Sequence, residues 1–407
     1  MGHGFEPLTV GYDWEMAVVK ETGENLDEKE AERLADELRE RVPWAATGTD
    51  LELIESRLGP FRSFGELSEN TGRFERYLRK ALKERGWSLL RSGARPIERE
   101  PIGAHIHVGT VRDWSAAARV QNGMAAYVAP FVALTANSPV YRNRSGRFKS
   151  YRVASFAEYC SLPQTIASPG ATQPTWGIDV CLKLALSSTV EMRVGDGVTS
   201  ARLMCELVAL VAGLMHHVAE HDDGLPPSDE AYAEMMLNRW RAAKHGLTAV
   251  FKVGGLDVPA QSVLTEALAV AQDGMRRIQA SPDDLVLIRE MVRKRQTQAD
   301  FQLAVFDAEG RDPHRFTRSL ANIQRDERAF ERYLTAAPPL DDVTQDDPVA
   351  DLLSGIEVET PYTLLLRGTP FAPAELDRRL ADLVREGRVI EGRTRLGVRT
   401  YTRIDLV

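Results

Sequence analysis

The heptapeptide Gly103-Ala-His-Ile-His-Val-Gly109 carries two imidazoles two residues apart among small and branched apolar side chains. On a strand this spacing sends His105 and His107 to one face and Ala104, Ile106 and Val108 to the other. Three further stretches repeat the device. Gly11-Tyr-Asp-Trp-Glu-Met-Ala-Val18 sets Asp13 and Glu15 against Tyr12, Trp14 and Met16, and Thr189-Val-Glu-Met-Arg-Val-Gly-Asp196 sets Glu191 and Arg193 against Val190, Met192 and Val194. Asp50-Leu-Glu-Leu-Ile-Glu55 places Asp50 and Glu52 together, with Glu55 on the same face only if a bulge intervenes.

Any one of these pairs fits the solvated face of an antiparallel sheet. The set does not, because carboxylates crowded on one sheet repel one another unless cations neutralise them. Hard divalent ions such as Mg²⁺ or Mn²⁺ take oxygen ligands and tolerate one imidazole. Arg193 beside Glu191 suits a phosphate or carboxylate. The composite is a metal–nucleotide basin on a sheet, with at most one of the two histidines on a metal and the other reaching phosphate or substrate.

The elements that must position these residues form an α+β pattern. Short apolar runs at 8–19, 102–110, 176–186 and 189–194 precede a helix-rich second half. Helices are expected at 29–41, 66–86, 113–136, 200–220, 228–244, 259–280, 282–295 and 315–336. The segment 336–348, rich in proline and acid, reads as an exposed linker. Beyond it, residues 349–407 suggest three helices and a basic hairpin with Arg393, Arg395, Arg399 and Arg403, an order that resembles a winged helix.

The ordered stretches "TVGYDWEMAVVKETGE", "LIESRLGPFRSFGEL", "GAHIHVG", "LTANSPVYRNRSGRFKSYR", "STVEMRVGDGVTS" and "NRWRAAKHGL" resemble glutamate–cysteine ligase family 2, the carboxylate–amine ligases. The resemblance covers roughly residues 8–250. It implies a glutamine-synthetase-like curved antiparallel sheet backed by helices in residues 1–335, and an ATP- and Mg²⁺- (or Mn²⁺-) dependent ligase working through an acyl phosphate. By position, Asp13, Glu15, Glu55, His105 and Glu191 would be metal ligands. His105, His107, Arg152, Asn238, Arg239 and Arg241 would meet the nucleotide, with Arg193, Arg152 and Glu191 as the catalytic set. Asp196 would orient Arg193.

Two departures stand out. The family's first motif has Glu where this chain has Asp13, followed by an acid where it has Trp14. An expected arginine is replaced by Cys181, with Lys183 two residues on as a substitute charge. They sustain a second reading, a catalytically reduced homologue that senses a nucleotide or amino acid, or contacts DNA or protein through the winged helix.

Composition narrows the classes. A net charge of -8 argues against nucleic-acid binding as the global role, and the acids at Glu375, Asp377, Asp382 and Glu386 argue against it for the winged helix. Protein interaction or a homodimer is the favoured use of that module. Three scattered cysteines and the absence of both a signal sequence and an 18-residue apolar run suggest a cytoplasmic protein with amino-acid substrates and no membrane. His217 and His221, one helical turn apart, are expected to cap a helix rather than bind Zn²⁺.

Overall fold

The computed structural model describes residues 5–98, 100–111, 114–155, 178–184, 186–221, 228–343, 349, 360–362, 365, 369, 371, 373–393 and 399–403. The chain opens with a long strand β1 (Phe5–Val19), helix α1 (Glu28–Arg41), a hairpin of β2 (Ala46–Asp50) and β3 (Leu53–Phe61), helix α2 (Phe64–Lys83) and β4 (Ser88–Leu90). It continues through β5 (Ala104–Val111), α3 (Trp114–Thr135), a small hairpin of β6 (Val140–Tyr141) and β7 (Arg144–Ser145), α4 (Tyr151–Ser155), β8 (Val180–Lys183) and β9 (Thr189–Met192). Helices α5 (Ala201–His221) and α6 (Asp229–His245) follow, then the hairpin of β10 (Val250–Val253) and β11 (Leu256–Pro259).

The alternation read from the sequence holds where it was sharpest. The main sheet is antiparallel, in the order β2-β3-β1-β5-β9-β8, with β4 also on β1. Tyr12, Trp14, Met16, Ile106, Val108, Val190 and Met192 all lie in the core. Their face packs on α1, α2 and α5, whose starts are set locally: Asp27 and Glu30 form a capping box on α1, and Ser63 caps α2. Helix α5 is long and apolar enough to cross a membrane, yet 83% of its apolar window is buried inside the fold, where it serves as the core helix behind the sheet. His217 and His221 stack at its end, their ring centroids 4.6 Å apart.

Three expectations change. Asp50 and Glu52 do not share a strand with Glu55, because Leu51 at φ 54° turns the chain between β2 and β3. The helix expected at 259–280 is two, α7 (Ala260–Val270) and α8 (Gln272–Arg277). After α9 (Val286–Lys294) comes α10 (Gln298–Ala308), which the periodicity did not reveal, and then α11 (Pro313–Ile323) and α12 (Ala329–Ala336) in place of one long helix.

The acidic linker is not free along its whole length. Lys294 donates to the carbonyls of Leu334, Thr335 and Ala337, Leu340 N donates to Lys294 O and Val343 N to Thr248 O. Beyond it, β12 (Thr360–Pro361), α13 (Pro373–Arg385), β13 (Val389–Arg393) and β14 (Arg399–Arg403) share a separate small core of Leu365, Leu376, Leu380, Leu383, Val389 and Tyr401. The strands order β12-β14-β13. The first two helices expected in this region fall mainly outside the described residues.

Candidate active site

Register brings the polar pairs into one row. Glu55 of β3 lies opposite Glu15 of β1, Asp13 opposite His105 of β5, and His107 opposite Glu191 of β9. Because directly opposed residues on adjacent strands share a face, these side chains converge on the side away from the helices. Glu55 needs no bulge to join them.

Glu191 is the hub. It is 1% exposed, and its Oε1 lies 3.6 Å from His105 Nδ1, 3.6 Å from His107 Nε2 and 3.3 Å from Arg193 Nη1. Its Oε2 faces Lys183 Nζ at 3.3 Å and accepts no hydrogen bond among the described residues. Lys183 therefore places a cation beside the position where Cys181 departs from the family. Cys181 itself sits opposite Glu191, its thiol pushed up to about 12 by burial and by that carboxylate.

The two histidines are shifted in opposite directions. His105 is buried between Glu15 Oε1 at 3.7 Å and Glu191, and burial, then Arg193 and Arg152, hold its pKa well below the usual value. Arg152 Nη2 approaches His105 Nε2 at 3.4 Å. A guanidinium can only donate, so Nε2 is the acceptor and Nδ1 carries the proton. His107 is pulled the other way. Burial opposes its charge, but the hydrogen bond to Asp13 Oδ2 at 3.2 Å and the field of Glu191 raise its pKa. Its Nδ1 meets Thr189 Oγ1 at 3.1 Å.

Glu15 accepts from Gly103 N at 2.6 Å, and burial lifts its pKa to about 7 against the opposing pull of Arg152. Gly103 allows this crowding: a Cβ there would come within 2.5 Å of His105 Nε2 and 2.7 Å of Arg152 Nη2. Arg152 reaches the row from α4 and donates to Val194 O at 2.8 Å. Its approach depends on Asp196, which accepts from Asn137 N, Ser138 Oγ and Ser150 Oγ at 2.8, 2.8 and 2.9 Å. Asp196 thus pins the loop that delivers Arg152, and does not orient Arg193.

The ligand atoms of Asp13, His107 and Glu191 lie within 4.8 Å of one another. Two carboxylates and an imidazole whose ligand atoms stand this close form a donor set that fits a hard divalent cation. The grouping contains His107, where the sequence reading named His105. Arg239 of the late basic motif comes close to the row, its Nη1 donating to Val153 O, next to Arg152, at 3.4 Å. Arg239 makes a two-pronged pair with buried Asp179 at 2.6 and 3.0 Å, Asn238 exchanges two 2.6 Å bonds with the Lys252 backbone, and Arg241 donates to Val250 O at 2.9 Å. These contacts brace α6 against the β10–β11 hairpin and the start of β8. Sequence reasoning also missed Arg57, which is opposite Asp13 and bonds Glu55 at 2.5 Å. Its signal was the same i, i+2 spacing from Glu55.

Comparison with known proteins converges on one family. The profile of glutamate–cysteine ligase family 2 matches residues 98–173 and 182–305. The chain belongs to glutamate–cysteine ligase family 2. It is 29% identical over 302 residues, 69% of this chain and 77% of the relative, to a candidate glutamate–cysteine ligase 2 protein of Rubrobacter xylanophilus. Similar proteins from the same organism and from Streptomyces coelicolor, each 28% identical, are spanned over 60% and 61% of their length. The fold is shared with the glutamate–cysteine ligase of Francisella tularensis solved with AMP (TM-score 0.53, 11% identity, 93% of each chain). It is also shared with a bifunctional glutathione synthetase of Pasteurella multocida (TM-score 0.52, 13% identity, 81% of this chain and 54% of that one). Family membership makes the chain a ligase of the carbon–nitrogen bond-forming class.

Proposed function

We propose that the protein is an ATP-dependent carboxylate–amine ligase that activates an amino-acid carboxylate as an acyl phosphate and passes it to an amine. The observation that carries this reading is the continuous row Glu15–His105–Glu191–His107–Asp13, flanked by Arg152, Arg193 and Lys183. In the first half-reaction a carboxylate oxygen attacks the γ-phosphorus of ATP and the bond to ADP breaks. In the second, the amine attacks the acyl carbon, loses a proton, and inorganic phosphate leaves. Such transfers depend on positioning and charge neutralisation more than on covalent chemistry from the protein.

Asp13, Glu191 and His107 would hold Mg²⁺ or Mn²⁺, with Glu15 and Glu55 next along the row. Such an ion supplies charge neutralisation at the phosphates. Arg152 and His105 sit together and would face the transferring phosphoryl group, while Arg193 and Lys183 pair with Glu191. Asp13 is one methylene shorter than Glu, and His107 lies between it and Glu191, so the trio stays within ligand reach despite the departure. We read residues 1–335 as the catalytic part, 336–348 as a linker and 349–407 as a winged-helix-like module, a division supported by the two separate apolar cores among the described residues. That module suits protein contact better than DNA, since Arg378 and Arg379 pair with Glu375, Arg385 with Asp382 and Arg399 with Asp377.

The test is phosphate release from purified protein with ATP, Mg²⁺ and a panel of amino acids. Release that depends on an amino acid is expected. Its absence across a broad panel of carboxylates and amines would sink the reading.

A further inference from the structure

The charged row ends differently at its two edges. At the β8–β9 edge, Lys183 and Arg193 are committed to Glu191, and Arg152 to His105 and the Val194 carbonyl. At the β2 edge stands Arg57, directly opposite Asp13 and 62% exposed, whose described ion pair is with Glu55. Beside it opens a recess of about 430 Å³ whose lining includes Arg39, Gly48, Thr49, Glu55 and Arg57. Arg39 is steered there by its Nε bond to Thr47 O at 3.1 Å. Gly48 lies opposite Glu55, and a Cβ at that position would meet nothing within 4 Å, so the recess is open directly above the carboxylate.

We propose that this recess is the subsite for the non-reacting carboxylate of the amino-acid substrate, gripped by Arg57. The inference rests on the ligase reading above. A carboxylate-activating ligase must hold two anions, the nucleotide phosphates and the substrate's spare carboxylate, and their repulsion is least when each has its own cationic end of the row. Arg152, Arg193 and Lys183 form one end. Arg57 forms the other, on the far side of Asp13 and Glu15, while Arg39, paired with Asp36 at 2.9 Å, lines the recess. Glu55 holds Arg57 in the absence of substrate. The planar donor fork of Arg57 matches an incoming carboxylate in two-pronged geometry.

The experiment compares L-glutamate with L-isoglutamine, in which the α-carboxylate is a carboxamide and the γ-carboxylate remains. Binding of each to the full-length protein is measured by titration calorimetry with Mg²⁺ and a non-hydrolysable ATP analogue. Wild type is expected to bind glutamate at least tenfold more tightly than isoglutamine. Arg57→Ala should erase that preference, Arg57→Lys should restore part of it, and analogue affinity should stay within twofold in both. Gly48→Leu should weaken both amino acids at least tenfold by filling the recess, again sparing the analogue. An Arg57→Ala protein that keeps the preference, or one that loses the analogue as severely as glutamate, overturns the proposal. The two readings fail separately: no amino-acid-dependent phosphate release in wild type defeats the ligase, whereas release with an intact preference in Arg57→Ala defeats only the subsite.

Discussion

Two clusters of would-be metal ligands among the described residues have opposite characters. Asp13, His107 and Glu191 bring their ligand atoms within 4.8 Å, and so do Glu52, Glu98 and Glu100. The second trio is already neutralised from within: Arg95, 1% exposed, directs Nη1 at all three carboxylates, at 2.6, 2.6 and 2.8 Å. The guanidinium stands where a metal would. In the first trio the cations Lys183 and Arg193 flank Glu191 instead of standing between the ligands. The two clusters thus differ in where the protein puts its own positive charge, and the first is the one proposed as the metal site.

The largest effect should come at the hub. Glu191→Gln keeps the shape but removes the charge that four neighbours share, and turnover should fall about 10²–10³-fold, the scale of losing one preorganised electrostatic partner. Circular dichroism should show an unchanged fold. A variant that retained a tenth of wild-type turnover would place the chemistry elsewhere.

Removing the internal cation is the converse experiment. Arg95→Met leaves three carboxylates facing one another and should cost about 2–3 kcal/mol of stability, at the low end for a broken buried pair because the carboxylates are partly exposed. Millimolar Ca²⁺ should then raise the melting temperature of the variant more than that of wild type, since the ion would take the vacated centre. Equal Ca²⁺ responses in the two proteins would contradict the contrast between the trios.

His107→Ala tests the open trio more gently. Losing one of three ligands, with Asp13 also losing its hydrogen-bond partner, should weaken Mg²⁺ binding about 10–100-fold, a loss measurable by calorimetry. The parallel substitution His105→Ala should disturb the nucleotide more than the metal.

The smallest effect concerns a carboxylate outside both trios. Glu206 is buried behind the sheet, where it accepts from Leu287 N, Ile288 N and the half-exposed Arg202, and burial lifts its pKa to about 7. Its folded value lies above its unfolded one, so the native state holds the extra proton between about pH 4.5 and 7. That contribution to stability is full below the unfolded pKa and is lost as pH rises through 7. Glu206→Gln should flatten this part of the melting-temperature profile, and a slope unchanged in the variant would assign it to another group.

Much of this was legible in the residues themselves. Strict alternation in β1, β5 and β9 announced which side chains share a face, and the apolar partners Tyr12, Trp14, Ile106 and Met192 duly form the core. What escaped were features closed by residues far apart in the chain. Arg239 meets Asp179 across 60 positions, and Arg79, bonded to buried Glu75, reaches the carbonyls of Gln324 and Arg325 across more than 240. The turn at Leu51 depends on how β2 and β3 pair, which a run of alternating acids does not disclose.

The sequence by itself determined the inventory: five acids and imidazoles on a common strand face, a set of arginines to answer them, and membership of one ligase family. The reason is that side-chain direction along a strand is a local property of the backbone. Only the tertiary structure decided which histidine meets which carboxylate, that Asp196 holds a loop, and that Arg95 closes one acidic cluster while the other stays available. Those outcomes depend on strand order and register, through which residues dozens or hundreds of positions apart come within a few ångströms, the range over which charge and hydrogen bonding act.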